Sequence, residues 1–317
     1  MGRRINYAKL ATERPNPASR SLDRLSPLAI VTLMSREDRR VPRAVGRVAP
    51  EIARAVELIV ASLGSGGRLF FVGAGTSGRL GVMEAAECPP TFNTPPTLVQ
   101  AIVAGGTGAV FRSREGAEDR ETEARRAVRR RVRAGDVVVG IAASGVTPFV
   151  RAALREGRRL GARTVLVACA GDSPQHSPAH VLIAPRVGPE VLAGSTRLKA
   201  GSATKMVLNM LTTAAMVRLG KVYENRMVDL QPRSRKLTAR ALGLVREIGR
   251  VPGPRARRLL RAAGGRAKAA IVMARLGVDA REALRRLAAA DGSLRRCLGV
   301  RPPLSGSRAR RGRRSPS

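Results

Sequence analysis

The sequence predicts an α/β protein: a three-layer αβα sandwich around a five-stranded parallel sheet, followed by a small helical domain. Three observations support this fold class. Short apolar runs, rich in β-branched residues and bounded by Gly, Ser and Thr, recur between residues 68 and 184. Helical stretches alternate with these runs, which is typical of a parallel sheet covered on both faces. After Gln231-Pro232 the apolar residues keep only helical spacing.

The elements follow in order from local signals. Between Pro27 and Leu63 the pattern is helical, and Pro42 and Pro50 divide it into two or three helices. The predicted strands are Arg68–Val72, Leu98–Val103, Asp136–Ala142, Thr164–Ala168 and Val181–Ala184. The helices predicted among and after them are Gly78–Glu87, Glu115–Arg133, Pro148–Glu156 and a long one from about Lys199 to Leu219. Three short helices are expected within 236–299, the last with Asp279 as N-cap and Glu282 three residues on.

These elements divide the chain into four predicted regions. Residues 1–50 form an N-terminal helical segment, 51–232 the sheet domain and 233–300 a small three-helix domain. Residues 301–317 combine basic charge with Pro, Gly and Ser, which predicts a disordered basic tail.

Composition limits the possible functions. The 317 residues carry a net charge of +36, but 53 of the 59 basic residues are arginine and they are spread over the whole chain. Aromatic residues make up 2% and Trp is absent, so no stacking platform for bases is expected and no specific nucleic-acid partner. No apolar run is long enough for a membrane span, and the N-terminus lacks the apolar core of a secretory signal. Three widely spaced cysteines fit a reducing cytoplasm.

A glycine-rich loop follows the first predicted strand. Gly73-x-Gly75-x-x-Gly78 resembles a dinucleotide fingerprint, but the next strand ends in Ala104-Gly105-Gly106, without the carboxylate that a ribose needs. Thr76 and Ser77 instead offer hydroxyls at a helix start, which suits a terminal phosphomonoester.

Two further loops repeat this pattern. Ser144 and Thr147 precede one helix, and Ser195 and Thr196 precede the longest one. Loops that follow parallel strands gather at one edge of the sheet, where open α/β folds bind ligands. The three loops therefore predict a phosphorylated small molecule as ligand.

Carboxylates are the candidates for acid–base chemistry, because the chain has only two histidines. Glu87 precedes a Cys-Pro-Pro turn that is expected to end its helix and present it at an edge, and Glu118 follows a glycine loop. Spacing alone favours a solvated helix face for Glu84, Glu115 and Asp119. His176 and His180 flank Pro178 without an adjacent acidic ligand, so a surface turn is favoured there over a metal site.

Several strings resemble one enzyme family along most of the chain. They are GAGTSGRLGV (73–82), ECPPTF (87–92), EGAED (115–119), GPEVLAGSTRLKAG (188–201), KMVLNM (205–210) and GKVYENRMVDL (220–230). The family is that of the N-acetylmuramic acid 6-phosphate etherases, bacterial enzymes of the sugar isomerase (SIS) fold. The resemblance begins near Glu13-Arg14-Pro15-Asn16-Pro17 and reaches about residue 298. Two departures are Val146, where the family usually has arginine, and 170–174, which lacks the usual asparagine.

The resemblance implies the site and the reaction. It makes 51–232 the catalytic SIS domain, and the family's two catalytic glutamates fall on Glu87 and Glu118. The expected phosphate ligands are Thr76, Ser77, Ser144 and Thr147, with Ser195 and Thr196 as further candidates. The family reaction removes D-lactate from the 3-position ether by elimination and hydration, with no cofactor and no metal. A cytoplasmic homodimer is expected, because SIS modules usually complete their sites across a dimer.

Two alternatives remain at this point. The same fold supports other sugar-phosphate isomerases, but the two glutamate motifs favour the etherase. A non-catalytic sugar-phosphate sensor similar to the vertebrate glucokinase regulator would carry a second SIS module, whereas 317 residues accommodate one.

Overall fold

The computed structural model describes residues 12–170, 179–230, 232 and 234–299. The chain divides into two compact units, Met1–Leu219 and Gly220–Ser317, and the candidate site lies in the first. The predicted tail at 301–317, the departure at 170–174 apart from Ala170, and His176 lie outside the described residues.

The first unit contains the predicted sheet. Its five strands are all parallel and lie in the order β2-β1-β3-β4-β5. Their bounds are β1 Leu69–Gly73, β2 Val99–Val103, β3 Val137–Ile141, β4 Arg163–Val167 and β5 Val181–Ile183. Each coincides with a predicted strand to within one or two residues, so the predicted αβα fold class is confirmed.

Helices cover both faces of this sheet. Their bounds are α1 Pro27–Asp38, α2 Arg40–Gly46, α3 Ala49–Gly64, α4 Gly75–Phe92, α5 Gly108–Phe111, α6 Glu121–Arg131, α7 Pro148–Arg159 and α8 Lys199–Arg218. Phe70, Val72 and Val138 pack with residues of α6 and α7 in one core cluster. On the opposite face, α4 packs so closely on Phe71 that a Cβ at Gly81 would lie 2.8 Å from the Phe71 Cβ. Side chains that alternate along each strand thus supply both layers of the core.

Two predicted features of the first unit are wrong. The Cys-Pro-Pro sequence does not end α4, which continues through Pro89 and Pro90 to Phe92. The fixed φ of proline is compatible with a helix. Pro89 and Pro90 have no N–H group to donate, but both lie in the last turn of α4. The helix ends before Asn93, which adopts a left-handed φ of 53°. The helix predicted from Glu115 is also shorter, because a 3-10 turn at Ala117–Asp119 precedes α6.

The second unit is helical apart from a short antiparallel pair, β6 Val222–Tyr223 and β7 Arg226–Met227. The predicted N-cap is confirmed, since Asp279 Oδ1 accepts a hydrogen bond of 2.8 Å from the Glu282 amide. Five helices occur among the described residues where three were expected: α9 Arg235–Gly249, α10 Gly253–Ala262, α11 Ala267–Leu276, α12 Ala280–Ala289 and α13 Leu294–Cys297. Residues with positive φ at Gly264-Gly265 and Asp291-Gly292 separate the additional helices.

Candidate active site

Three loops meet at the carboxyl edge of the sheet and enclose a cavity of about 500 Å³. Six of the eight predicted site residues line it: Thr76, Ser77, Glu118, Ser144, Thr147 and Thr196. Ser195 and Glu87 are not among the lining residues. The sheet topology therefore brings together hydroxyl groups from positions 76 to 196 of the sequence, together with one of the two predicted glutamates.

The first loop is shaped by close contact between two glycines. A Cβ on Gly73 would lie 2.6 Å from the Gly78 amide nitrogen, and one on Gly78 would lie 2.7 Å from the Gly73 carbonyl oxygen. Any side chain at either position would push the end of β1 and the first turn of α4 apart. The glycines thus hold Thr76 and Ser77, in the first turn of α4, in the lining of the cavity.

Two helix N-termini at the cavity are not capped by their own residues. Ala74 before α4 and Thr147 before α7 make no side-chain capping hydrogen bond. The first N–H groups of a helix carry partial positive charge and attract anions. With the nearby hydroxyls, these two helix starts provide donors for the oxygens of a phosphate group.

The third loop differs, because its helix start is already capped. Glu190 is buried, and its carboxylate accepts hydrogen bonds from the amides of Lys199 at 3.0 Å and Ala200 at 2.8 Å. Burial raises the pKa of Glu190, and these bonds oppose the rise. The first two N–H groups of α8 therefore already have an acceptor within the protein. Thr196 contributes to this cavity only as a lining residue.

No lysine or arginine is among the residues that line this cavity, whereas three carboxylic acids are: Glu13, Glu118 and Asp119. Burial raises the pKa of Glu118, and the negative charges of Asp119 and Glu115 raise it further. A carboxylate with a raised pKa accepts a proton more readily near neutral pH. Glu118 is thus suited to act as a general base.

Glu13 reaches the cavity on the segment that precedes the first helices. The Gly194 amide donates to the Thr12 carbonyl oxygen at 3.0 Å, and Thr12 Oγ1 donates to Glu13 Oε1 at 3.0 Å. Sequence reasoning missed Thr12, Glu13 and Asp119 as cavity residues. The signal available for Glu13 was the string at 13–17, where the family resemblance begins.

Glu87 lies elsewhere on α4. Its side chain is exposed, and ten residues of helix separate it from Ser77, a rise of about 15 Å. One turn earlier, Glu84 is 5% exposed and accepts hydrogen bonds from Lys205 Nζ at 2.6 Å and from Thr212 Oγ1. The expectation of a solvated Glu84 is therefore wrong, because this carboxylate joins α4 to α8.

The remaining polar candidates, Glu115 and His180, accept hydrogen bonds from other groups of the protein. Exposed Glu115 accepts a hydrogen bond from Ser113 Oγ at 3.0 Å, and His180 Nδ1 accepts one from the Thr164 amide at 3.1 Å. Burial lowers the pKa of His180, and the charges of Arg158 and Arg163 lower it further.

Within the described ranges, no group of three His, Cys, Asp or Glu side chains could hold a metal ion. The helices of the same ranges are all too short or too polar to cross a bilayer.

Comparison with known proteins identifies relatives of high sequence identity. Residues 51–157 match the family model of the glucokinase regulatory protein N-terminal SIS domain. An N-acetylmuramic acid 6-phosphate etherase of Symbiobacterium thermophilum is 53% identical over 85% of this chain and 90% of its own. The one from Serratia proteamaculans is 49% identical over 93% and 99%. Among solved structures, a phosphoheptose isomerase from Neisseria gonorrhoeae covers 59% of this chain and 96% of its own, with 18% identity and a TM-score of 0.45.

Proposed function

The chain belongs to the family of N-acetylmuramic acid 6-phosphate etherases, and we propose that it cleaves the D-lactyl ether of N-acetylmuramic acid 6-phosphate. It is thus a carbon–oxygen lyase of the SIS fold that produces N-acetylglucosamine 6-phosphate and D-lactate. One structural observation supports this proposal independently of family membership. Two uncapped helix starts and six hydroxyl side chains lie at the same cavity as Glu118, whose pKa is raised.

The phosphate end of the substrate is assigned to Thr76, Ser77, Ser144 and Thr147. A phosphate dianion offers three terminal oxygens, and hydroxyls together with first-turn N–H groups match them as donors. Thr196 is assigned a place in the wall, while Ser195 is given no contact because it does not line the cavity.

The chemistry begins in the ring-opened aldehyde form of the sugar. The aldehyde acidifies the C2 proton, which Glu118 removes as general base. The electron pair left at C2 forms a C2–C3 double bond while the C3–O bond breaks, and the lactyl oxygen takes a proton from Glu87. Glu87, now a carboxylate, then takes a proton from water as the water oxygen adds to C3. Glu118 returns its proton to C2, so both glutamates end in their starting states.

Glu87 must come from a second subunit in this scheme, and a homodimer follows as part of the proposal. Within one subunit Glu87 is about 15 Å of helix away from Ser77 and is open to solvent. In a symmetric dimer, the same surface of each subunit faces the partner, so both sites can be completed equally.

Subunit mixing tests this arrangement. Glu87→Gln and Glu118→Gln homodimers should each be inactive, whereas mixed dimers carry one site with both glutamates intact. After random reassortment of equal amounts, lactate release should recover to about one quarter of the wild-type rate. Mixtures that stay inactive after proven exchange would show that both glutamates act from one subunit.

The proposed reaction is tested by incubating the protein with N-acetylmuramic acid 6-phosphate and measuring free D-lactate. Unphosphorylated N-acetylmuramic acid is the matched control, since it differs only at the group assigned to the three loops. We expect release from the phosphorylated sugar and very little from the other. Equal turnover of both sugars would contradict the assignment of the phosphate to the three loops. No lactate release from either sugar would contradict the etherase function.

A cytoplasmic location and the absence of a specific nucleic-acid partner complete the proposal. Three unpaired cysteines, two of them buried, fit a reducing compartment. The low aromatic content offers little for base stacking, although a charge of +36 favours salt-sensitive adsorption to polyanions.

A further inference from the structure

A second, smaller cavity shares part of its wall with the first. It has a volume of about 90 Å³, and Ala74, Gly75 and Glu118 line both cavities. Its other lining residues include Arg79, Ser113, Arg114 and Glu115. A water molecule occupies about 30 Å³ in the liquid, so the space corresponds to roughly three waters or a group of a few heavy atoms.

The two arginines distinguish this cavity from the larger one. Arg79 donates from Nε to the Val110 carbonyl oxygen at 2.8 Å and from Nη2 to that of Ala109 at 3.0 Å. These bonds fix one guanidinium on the wall through two of its nitrogens. The third nitrogen, Nη1, has no protein partner among the described residues.

Arg114 lies along the glycine loop that follows β2. A Cβ on Gly105 would come within 3.0 Å of Arg114 Cδ, and one on Gly108 within 3.0 Å of Arg114 Nη2. The glycines therefore leave the space that this side chain occupies. Its guanidinium forms no hydrogen bond or ion pair within the described part of the chain, although Glu115 is its neighbour in sequence.

The charges of the proposed substrate explain such an arrangement. Besides the phosphate, the sugar carries a lactyl carboxylate on C3, the atom next to the C2 whose proton Glu118 removes. The helix starts and hydroxyls of the larger cavity are assigned to the phosphate, so a second anion there would face three carboxylic acids without a lysine or arginine in the lining. The small cavity is also lined by Glu115 and Glu118, but there two guanidinium groups offset their charges and can pair with a carboxylate of the substrate.

We propose that the small cavity is the subsite for the lactyl carboxylate, with the Arg114 guanidinium as its principal partner and Arg79 Nη1 as a second donor. The inference rests on the proposed function and extends it to substrate selection. Arg114 then favours a sugar phosphate that bears a carboxylate on C3 over one that bears a hydroxyl there. The product N-acetylglucosamine 6-phosphate lacks the carboxylate and gains nothing from this contact.

The test compares two variants that each lose one positive charge from the same loop. Both residues are exposed, but Arg114→Gln removes the charge from the subsite, whereas Arg112→Gln removes it from a residue that lines neither cavity. For each variant the KM for N-acetylmuramic acid 6-phosphate is measured by lactate release. The inhibition constant of N-acetylglucosamine 6-phosphate is measured in the same assay, and circular dichroism checks that the variants are folded.

We expect Arg114→Gln to raise KM about tenfold, the effect of losing one charge-assisted hydrogen bond, and to leave the inhibition constant of the product unchanged. Arg112→Gln should change neither. The carboxylate subsite would be overturned if Arg114→Gln raised the KM and the inhibition constant of the product in parallel, or if the two variants had equal KM values. The etherase function would stand in either case. A wild-type protein that releases no lactate would overturn the function, and the subsite with it.

Discussion

Lys199 and Glu37 form a buried ion pair that joins the start of α8 to α1. Lys199 Nζ lies 2.7 Å from Glu37 Oε2, and neither side chain is more than 2% exposed, although the two residues are 162 positions apart. The same oxygen accepts a hydrogen bond of 2.9 Å from Asn16 Nδ2, which also donates to the Pro189 carbonyl oxygen. This cluster fixes the segment that carries Glu13 to the wall of the cavity.

Lys199→Met should destabilise the protein by as much as about 3–5 kcal/mol at pH 7, because it removes the buried cation from a buried carboxylate and leaves only the exposed Arg40, 3.3 Å from Glu37 Oε1. Lys236→Met, at an exposed position, is the matched control and should cost less than about 0.5 kcal/mol. Urea unfolding followed by circular dichroism measures both. Equal midpoints for the two variants would contradict the importance of the buried pair.

The same pair should make stability depend on pH. Burial alone would raise the pKa of Glu37, but hydrogen bonds from Lys199 and Asn16, together with the charges of Lys199 and Arg40, outweigh it and lower the pKa. A carboxyl group with a lowered pKa contributes stability above its unfolded value and loses that contribution as the pH falls through its folded value. The difference between wild type and Lys199→Met should therefore be largest near neutral pH and decrease in acid.

Such pairs mark the limit of prediction from sequence. The strands could be predicted because apolar runs such as Val137–Ile141 are local patterns, and the topology then placed Ser77 and Ser144 at one edge. The lysine partners of Glu37 and Glu84 could not be predicted, since each lies more than a hundred residues away in the sequence. The capping of α8 by Glu190 likewise depends on how the loop between β5 and α8 folds back on the helix start.

Ser77→Ala should raise the KM for N-acetylmuramic acid 6-phosphate about tenfold or more, because one hydrogen bond to a charged oxygen contributes roughly 1.5–3 kcal/mol. Ser202→Ala, on an exposed face of α8, serves as the control and should leave KM unchanged. Steady-state lactate release measures both variants. An unchanged KM in Ser77→Ala would remove this hydroxyl from the phosphate site.

Asp119→Asn should move the acid limb of the pH profile of kcat/KM to lower pH. The base must be deprotonated to act, so activity falls as the pH drops through the raised pKa of Glu118. After burial, the charge of Asp119 is the larger of the two charge effects that raise this pKa, and Glu115 is the smaller. Glu115→Gln should therefore move the limb in the same direction by less. A profile unaffected by either change would mean that another group sets the acid limb.

The two glutamates can be separated by hydrogen exchange at C2. Glu87→Gln keeps the size of the side chain but cannot donate a proton to the lactyl oxygen, so it should release little lactate. Glu118 remains, and it should still exchange the C2 hydrogen of the substrate with deuterium from D₂O. Glu118→Gln lacks the base and should lose both exchange and lactate release, because elimination requires the C2 carbanion.

Mass spectrometry of the recovered substrate measures this exchange, alongside the yield of lactate. The structure distinguishes the two residues by position: Glu118 lines the cavity and has a raised pKa, while Glu87 lies on α4 and is not among the residues that line the cavity. If Glu87→Gln abolished exchange and Glu118→Gln preserved it, the roles would be reversed although the pair would stand. If both variants released lactate at the wild-type rate, neither carboxyl group would take part in the reaction, and Glu13 and Asp119 would be the remaining acids that line the cavity.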